Sequence, residues 1–176
     1  PADDDAGDSS GSAYVFVRSG GTWAQQAKLL ASDGASPDLF GYSVSVSGDT
    51  AVVGASDDDT NTGCAYVFVR SGTVWTEQAK LTASDAATFD YLGVSVALAG
   101  DTAVVGATMK ESARGAAYVF TRTGTTWTEQ AKLVASDAAN GDYFGRSVAF
   151  EGDTAIVGAY AKKPHRCAAY VFARDG

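Results

Sequence analysis

One 18-residue stretch occurs three times in this chain, and each copy begins 52 residues after the one before. The copies read DLFGYSVSVSGDTAVVGA at residues 38–55, DYLGVSVALAGDTAVVGA at 90–107 and DYFGRSVAFEGDTAIVGA at 142–159. No residue is gained or lost between them. A period of this length is typical of proteins in which one supersecondary unit stacks on its neighbours, because a single unit cannot bury both of its apolar faces. The repeat therefore constrains the fold more than any other feature of the sequence.

Each repeat predicts four short β-strands. The segment GYSVSVS alternates apolar and polar residues with the period of a strand, and the GDT that follows it predicts a tight turn. AVVGAS is a continuous apolar run, AYVFVR is β-branched and aromatic, and TWAQQAKLLA is the most polar, as expected at the outer edge of a sheet. No segment predicts a helix. Four antiparallel strands in about 50 residues indicate an all-β fold built from blades of the β-propeller type.

Two residue pairs recur in every repeat, one at the start of the first strand and one at the end of the second. They are Phe40-Gly41, Leu92-Gly93 and Phe144-Gly145, and Gly54-Ala55, Gly106-Ala107 and Gly158-Ala159. With these pairs the repeats resemble the FG-GAP repeat, the blade type of integrin α chains and of many bacterial and algal surface proteins. The short GDTA turn and the YVF…W pattern are similar to a compact variant of that repeat. The proline that the family pattern has after GA is absent. The resemblance implies an extracellular or cell-surface module.

The resemblance also implies how the chain divides, since it places GYSVSVS innermost and TWAQQAKL outermost in each blade. Residues 1–39 would supply the outer strands of a partial blade, 40–91 and 92–143 two complete blades, and 144–176 a partial blade that lacks its outer strand. Three and a fraction repeats cannot close a propeller ring, which usually needs four to eight blades. We therefore expect part of a longer array, an assembly of copies of this chain, or completion by another protein.

The overall charge narrows the classes of partner. The net charge is −8 and the pI is about 4.4, which disfavours nucleic acid and anionic lipid. No apolar run approaches the length that spans a membrane, so we expect no membrane insertion. The loops before the AYVF strands run from acidic at the start of the chain to basic at its end. Such loops would complement each other in a head-to-tail contact, or they are unrelated solvated loops.

Metal binding and catalysis have weak support in the sequence. In the related family, calcium binds a loop between the first and second strands, but here GDTA has reduced that loop to a turn. Asp57, Asp58 and Asp59 remain as weak candidates for calcium, and Asp3, Asp4 and Asp5 form a second acidic cluster. Neither cluster has the full ligand spacing and turn glycine of calcium loops. The only histidine, His165, lies two residues from Cys167 in a variable basic loop, and no G-x-S-x-G motif is present. We expect no catalytic residues, no required cofactor and no enzymatic activity.

The two cysteines, Cys64 and Cys167, are too few for a disulfide framework or a zinc site, and the sequence leaves their redox state open.

Repeated aromatic residues are the candidates for binding partners. The tryptophans recur every 52 residues at the start of the outer strand, where they either form a ladder for carbohydrate or cover the edge of the blade. The candidate interaction residues are Tyr14, Phe16, Tyr170, Phe172, Trp23, Trp75 and Trp127. We expect a structural or adhesive module that binds a protein partner or a second copy of itself. The alternative is a module that binds carbohydrate or calcium.

Overall fold

The computed structural model describes residues 9–162 and 167–174. His165 and the acidic residues 3–5 lie outside the described residues. The strands are β1 (Ala13–Ser19), β2 (Thr22–Leu29), β3 (Phe40–Ser47), β4 (Thr50–Ala55), β5 (Cys64–Ser71), β6 (Val74–Leu81), β7 (Leu92–Ala99), β8 (Thr102–Ala107), β9 (Ala116–Thr123), β10 (Thr126–Leu133), β11 (Phe144–Glu151), β12 (Thr154–Ala159) and β13 (Ala168–Ala173). Two one-turn helical segments are α1 (Asp58–Asn61) and α2 (Lys110–Ala113).

The strands form four antiparallel sheets in chain order. Sheet 1 contains β1–β2, sheet 2 contains β3–β4–β5–β6, sheet 3 contains β7–β8–β9–β10, and sheet 4 contains β11–β12–β13. The register repeats with the sequence, since Val52 pairs with Val67 in sheet 2 and Val104 pairs with Val119 in sheet 3. The all-β fold with four antiparallel strands per repeat is confirmed, and the described sheets do not close on themselves.

Successive sheets pack face to face, so the core is divided into layers between them. Strand β7 lies against β3 and β4, and β11 lies against β7 and β8. Between sheets 2 and 3 the core buries Val52 and Val67 from one side and Val105 and Tyr118 from the other, each fully excluded from solvent. Burial of one valine side chain contributes about 1.5–3 kcal/mol. Equivalent layers lie between sheets 1 and 2 and between sheets 3 and 4.

The two sequence motifs of the repeat meet at the junction between sheets. Gly93, the second residue of β7, has a φ of +91° and lies in a β-bulge, which favours glycine. Its carbonyl oxygen accepts a hydrogen bond from Ser43 Oγ at 2.7 Å and lies against Gly54 of the preceding sheet. Gly145 accepts the same bond from Ser95 Oγ at 2.8 Å. One FG glycine therefore packs on the GA glycine of the sheet before it.

The loop after the second strand of each complete sheet is more ordered than the sequence indicates. We expect polar loops there, but α1 and α2 each form a single turn that is partly left-handed. Asp59 and Thr60 have φ values of 48° and 57°, and Glu111 has 53°. The Gly63 amide closes the first turn by donating to the Asp58 carbonyl at 2.9 Å. Because no side-chain pattern marks a left-handed turn of non-glycine residues, sequence periodicity does not reveal it.

Candidate functional site

The end of the array formed by sheet 1 exposes aromatic side chains that are buried in the other sheets. Tyr14 is 47% exposed and Phe16 52%, whereas Tyr66 and Phe68, at the same positions in sheet 2, are 1% and 3% exposed. Tyr66 and Phe68 pack edge-on against Phe40, with ring centroids 5.5 and 5.9 Å apart. Phe40 begins the inner strand of sheet 2. Sheet 1 has no inner strand among the described residues, so its two aromatic rings lack this cover.

The inner strand of sheet 2 is uncovered on the same side. Val44 and Val46 are 63% and 66% exposed, whereas Val96 and Leu98, one repeat later, are 9% and 7% exposed because sheet 2 covers them. The uncovered residues line a groove of about 350 Å³ between β1 and β3, which we call the N-terminal groove. Its apolar lining includes Tyr14, Phe16, Val44, Val46, Val53 and Trp75.

The opposite end of the array is the outer face of sheet 4. Tyr170 and Phe172 do not lie on that face, because both rings pack edge-on against Phe144 at 5.6 and 6.0 Å on the side of sheet 3. The outer face exposes Ile156 and Val171 instead, at 44% and 67%. We did not single out these two from the sequence. Strand alternation could have found them, since valines at the same positions in sheets 2 and 3 point toward the next sheet.

The tryptophans lie along the outer edge, and two of the three contact a neighbouring sheet. The indole N–H groups of Trp75 and Trp127 donate to Gln26 Oε1 and Gln78 Oε1, each at 3.0 Å, in the outer strand before their own. An arginine guanidinium lies over each of these two rings, 5.5 and 5.2 Å from the centroid. Trp23 is 68% exposed. Trp75 and Trp127 thus join outer strands, while Trp23 presents its ring to solvent.

A polar network joins each inter-sheet loop to the next sheet. In sheet 3, the Tyr118 hydroxyl donates to Asp85 at 2.6 Å and Lys132 Nζ donates to the same carboxylate at 2.8 Å. The buried Lys110 pairs with the buried Asp90 at 2.8 Å. A tyrosine–aspartate bond of the same kind recurs in sheets 2 and 4. The repeated aspartates of the loops therefore fix the position of one sheet relative to the next.

Comparison with known families agrees with this geometry. The model of the FG-GAP repeat matches the chain three times, at residues 23–68, 75–120 and 127–172. The chain belongs to the FG-GAP repeat family. Each matched segment begins at the tryptophan of an outer strand and ends in the third strand of the next sheet, so one FG-GAP match spans a junction between two sheets. No curated protein matches the chain.

The family assignment makes the four sheets complete or partial propeller blades, as the resemblance in the sequence implies. FG-GAP repeats are typical of extracellular and cell-surface proteins. Among the described residues, neither short helix has the length or apolar character to cross a membrane.

The FG-GAP polar network holds Asp85 in its charged form. Burial by itself would raise the pKa of Asp85, but hydrogen bonds from Lys132 and Tyr118 and the charge of Lys110 outweigh it and lower that pKa to about 2. Burial and the bond to Asp85 raise the pKa of Tyr118. Because the folded-state pKa of Asp85 lies below its ordinary value of 3.8, its contribution to stability is present above pH 3.8 and is lost as the pH falls through about 2.

Asp85→Asn should therefore lower the melting temperature at pH 7 by about 2 to 4 °C, since a partly exposed ion pair and a hydrogen bond contribute about 1 kcal/mol together. The difference from the unchanged protein should narrow as the pH falls from 4 toward 2. Thermal melts over that range measure it. Asp59→Asn is the matched control, because the Asp59 carboxylate is exposed and has no partner among the described residues. Equal effects of the two changes, or a gap that does not depend on pH, would contradict the assignment.

The three acidic candidates for calcium have different surroundings. Asp58 is buried, pairs with Lys80 Nζ at 2.6 Å and accepts a hydrogen bond from Cys64 Sγ at 2.9 Å. Asp57 is half-buried and Asp59 is exposed. Within the described ranges, no group of three or more acidic, histidine or cysteine side chains is placed to hold a metal ion. Asp58 is thus part of the FG-GAP polar network of sheet 2.

Both cysteines are free thiols, and they differ in burial. Cys64 is buried, and burial together with the neighbouring Asp58 raises the pKa of its thiol. Cys167 is exposed, with its Sγ 3.0 Å from the Tyr160 carbonyl oxygen.

Proposed function

We propose that this FG-GAP chain is a non-enzymatic extracellular or cell-surface structural module that binds a second copy of itself head to tail. The observation that carries this proposal is the match between its two end faces. Positions buried between sheets inside the array are exposed at the ends, as Phe16 (52%) and Phe68 (3%) show. Inside the array, residues of the kind exposed at one end pack against residues of the kind exposed at the other end. The two end faces can therefore pack against each other in the same way.

The proposed contact repeats the internal junction between sheets. Inside the chain, Ser95 Oγ donates to the Gly145 carbonyl of the next sheet. At the outer face of sheet 4, Ser147 occupies the position of Ser95 and is exposed. In the second copy, Gly41 occupies the position of Gly145 and has the same left-handed φ, at +94°. We expect Ser147 of one copy to donate to the Gly41 carbonyl of the other.

A shared blade would have to form where the two copies meet. Strands β1 and β13 both carry AYVF, and both occupy the third position of a blade. For β11–β12 of one copy to pair with β1–β2 of the other, β13 must therefore detach from β12. Tyr14 and Phe16 would then replace Tyr170 and Phe172 against Phe144. Two copies joined at both ends would have four complete and two shared blades. Six blades lie within the range of closed propellers.

Light scattering over a concentration series tests this proposal. A chain of 18.0 kDa should give twice that mass as a closed pair, or a mass that grows with concentration as an open filament. Gly158→Ala should abolish association while lowering the stability of the monomer by less than about 1 kcal/mol. A Cβ at Gly158 meets only the Ser147 side chain within the chain, but it would overlap the Gly41 carbonyl of an incoming copy.

Val74→Thr is the control for this experiment, because Val74 is 63% exposed at the start of β6 and does not line the N-terminal groove. That variant should associate as the unchanged protein does. A mass of 18.0 kDa at every concentration would overturn the proposal. Association that persists at full strength in Gly158→Ala would show that the copies meet through another surface.

A further inference from the structure

A cavity of about 320 Å³ opens at one end of the inner strands and extends over sheets 2, 3 and 4. Its volume falls at the lower end of the range of small-molecule sites, about 300–1,000 Å³. The charged and aromatic side chains that line it are Tyr42, Asp57, Tyr91, Tyr143, Arg146 and Tyr160. We infer that this cavity, which we call the tyrosine cavity, binds a short acidic saccharide that contains a uronic acid.

The lining of the tyrosine cavity varies between repeats that are otherwise nearly uniform. Neighbouring positions keep one residue type in all three copies, such as aspartate at 38, 90 and 142 and glycine at 41, 93 and 145. The cavity positions instead read Leu39, Tyr91 and Tyr143, then Tyr42, Val94 and Arg146, then Ser56, Thr108 and Tyr160. Because equivalent positions have the same place in each blade, packing does not require one residue type there. Of these side chains, Tyr42, Arg146 and Tyr160 are exposed and available for contact with a ligand, whereas Ser56, Val94 and Thr108 are buried.

The tyrosine cavity contains an arginine that has no partner among the described residues. Arg146 is exposed, and within the described residues its guanidinium makes no ion pair or hydrogen bond. In contrast, Arg70 and Arg122 each pair with a turn aspartate at 2.5 Å. Asp57, two sheets away, is oriented by a hydrogen bond from Ser56 Oγ at 2.9 Å. The cavity therefore offers a cation that no described residue pairs with, on sheet 4, and a carboxylate held by a hydrogen bond, on sheet 2.

The tyrosines supply surfaces that suit a sugar ring. Tyr143 and Tyr160 lie with ring centroids 5.1 Å apart and planes inclined by 34°. Tyr160 is 53% exposed and Tyr42 is 49% exposed. A tyrosine combines an apolar ring face with a hydroxyl group, and a pyranose likewise combines apolar C–H faces with hydroxyl groups. Asp57 can accept hydrogen bonds from sugar hydroxyls, and Arg146 can bind a uronate carboxylate through two parallel N–H groups.

Calorimetric titration of the full chain with the trimer of galacturonic acid tests this inference, with the neutral trimer of galactose as the comparison ligand. The acidic trimer should bind at least about tenfold more tightly, because the neutral trimer has no carboxylate to form a charge-assisted hydrogen-bonded pair with Arg146. Arg146→Gln should remove that advantage. Arg18→Gln should not, since Arg18 is also exposed and without a partner among the described residues but does not line the cavity.

Both variants should remain folded, because each replaces an exposed side chain. Thermal melts check this. The inference fails if neither trimer binds, or if Arg146→Gln and Arg18→Gln weaken binding equally, as nonspecific attraction to charge would require. It also fails if a tripeptide of glutamate binds through Arg146 more tightly than the acidic trimer, which would make the cavity a peptide site. Tyr160→Ala should weaken both trimers, because it removes a ring face on which either can stack.

Discussion

Gly106→Ala is expected to lower the free energy of unfolding by about 3 kcal/mol, the upper part of the usual range for overpacking a core. Gly106 lies where β8 meets sheet 4, and a Cβ there would overlap the Gly145 carbonyl oxygen. That oxygen belongs to backbone that cannot rotate away as a side chain can. The chain would have to separate sheets 3 and 4 locally and lose the Ser95–Gly145 hydrogen bond. Chemical denaturation monitored by circular dichroism measures the change.

Gly158→Ala is the matched control for Gly106→Ala. Gly158 occupies the same position one repeat later, and a Cβ there meets only the side chain of Ser147, with the next atoms 3.8 Å away. Neither glycine has a positive φ, so backbone strain does not differ between the two changes. At a concentration where the protein is monomeric, Gly158→Ala should cost less than about 1 kcal/mol. Equal losses would mean that contact with the following sheet is not the reason for glycine in the GA motif.

The fold could be predicted from the sequence because its main determinants are local and repeated. The alternation of GYSVSVS and the apolar run AVVGAS fix strand faces, and the 52-residue period repeats them with the same register. The FG and GA pairs could be recognised as motifs in the sequence. The sequence did not show that the FG glycine of one sheet contacts the GA glycine of the sheet before it. Gly93 and Gly54 are 39 residues apart in the chain and come together only when two sheets stack.

The candidate sites were harder to predict, because they depend on which residues are left uncovered. Tyr14 and Tyr170 occupy equivalent positions, yet one is exposed at an end of the array and the other packs against Phe144. Sequence identity alone cannot separate them. The tyrosine cavity was also missed. The residue type differs between repeats at equivalent positions such as Val94 and Arg146, which could have marked the cavity. However, these positions lie around one opening only because the fold brings the three inner strands together.

Lys110→Met is expected to cost about 3–5 kcal/mol, because it would leave a buried carboxylate without its cation. Lys110 and Asp90 are each 6% exposed, and Nζ lies 2.8 Å from Oδ2. Sheet 2 contains a natural counterpart, since Asp58 stands at the position of Lys110, and a carboxylate rather than a cation therefore lies near Asp38. Burial, with the charge of Asp58, raises the pKa of Asp38 there. Denaturant titration at pH 7 measures the loss caused by Lys110→Met.

The pH dependence and a double variant identify the cause of that loss. Protonation of the unpaired carboxylate would remove its charge, so the deficit of Lys110→Met should be smaller near pH 4 than at pH 7. Adding Asp90→Asn should recover part of the stability at pH 7, because the amide oxygen can still accept the hydrogen bond that the Ala87 amide donates at 2.8 Å. The contrary result is a double variant that is no more stable than Lys110→Met, with a deficit that does not change with pH. That result would mean that the methylene chain of Lys110, and not its charge, stabilises the junction.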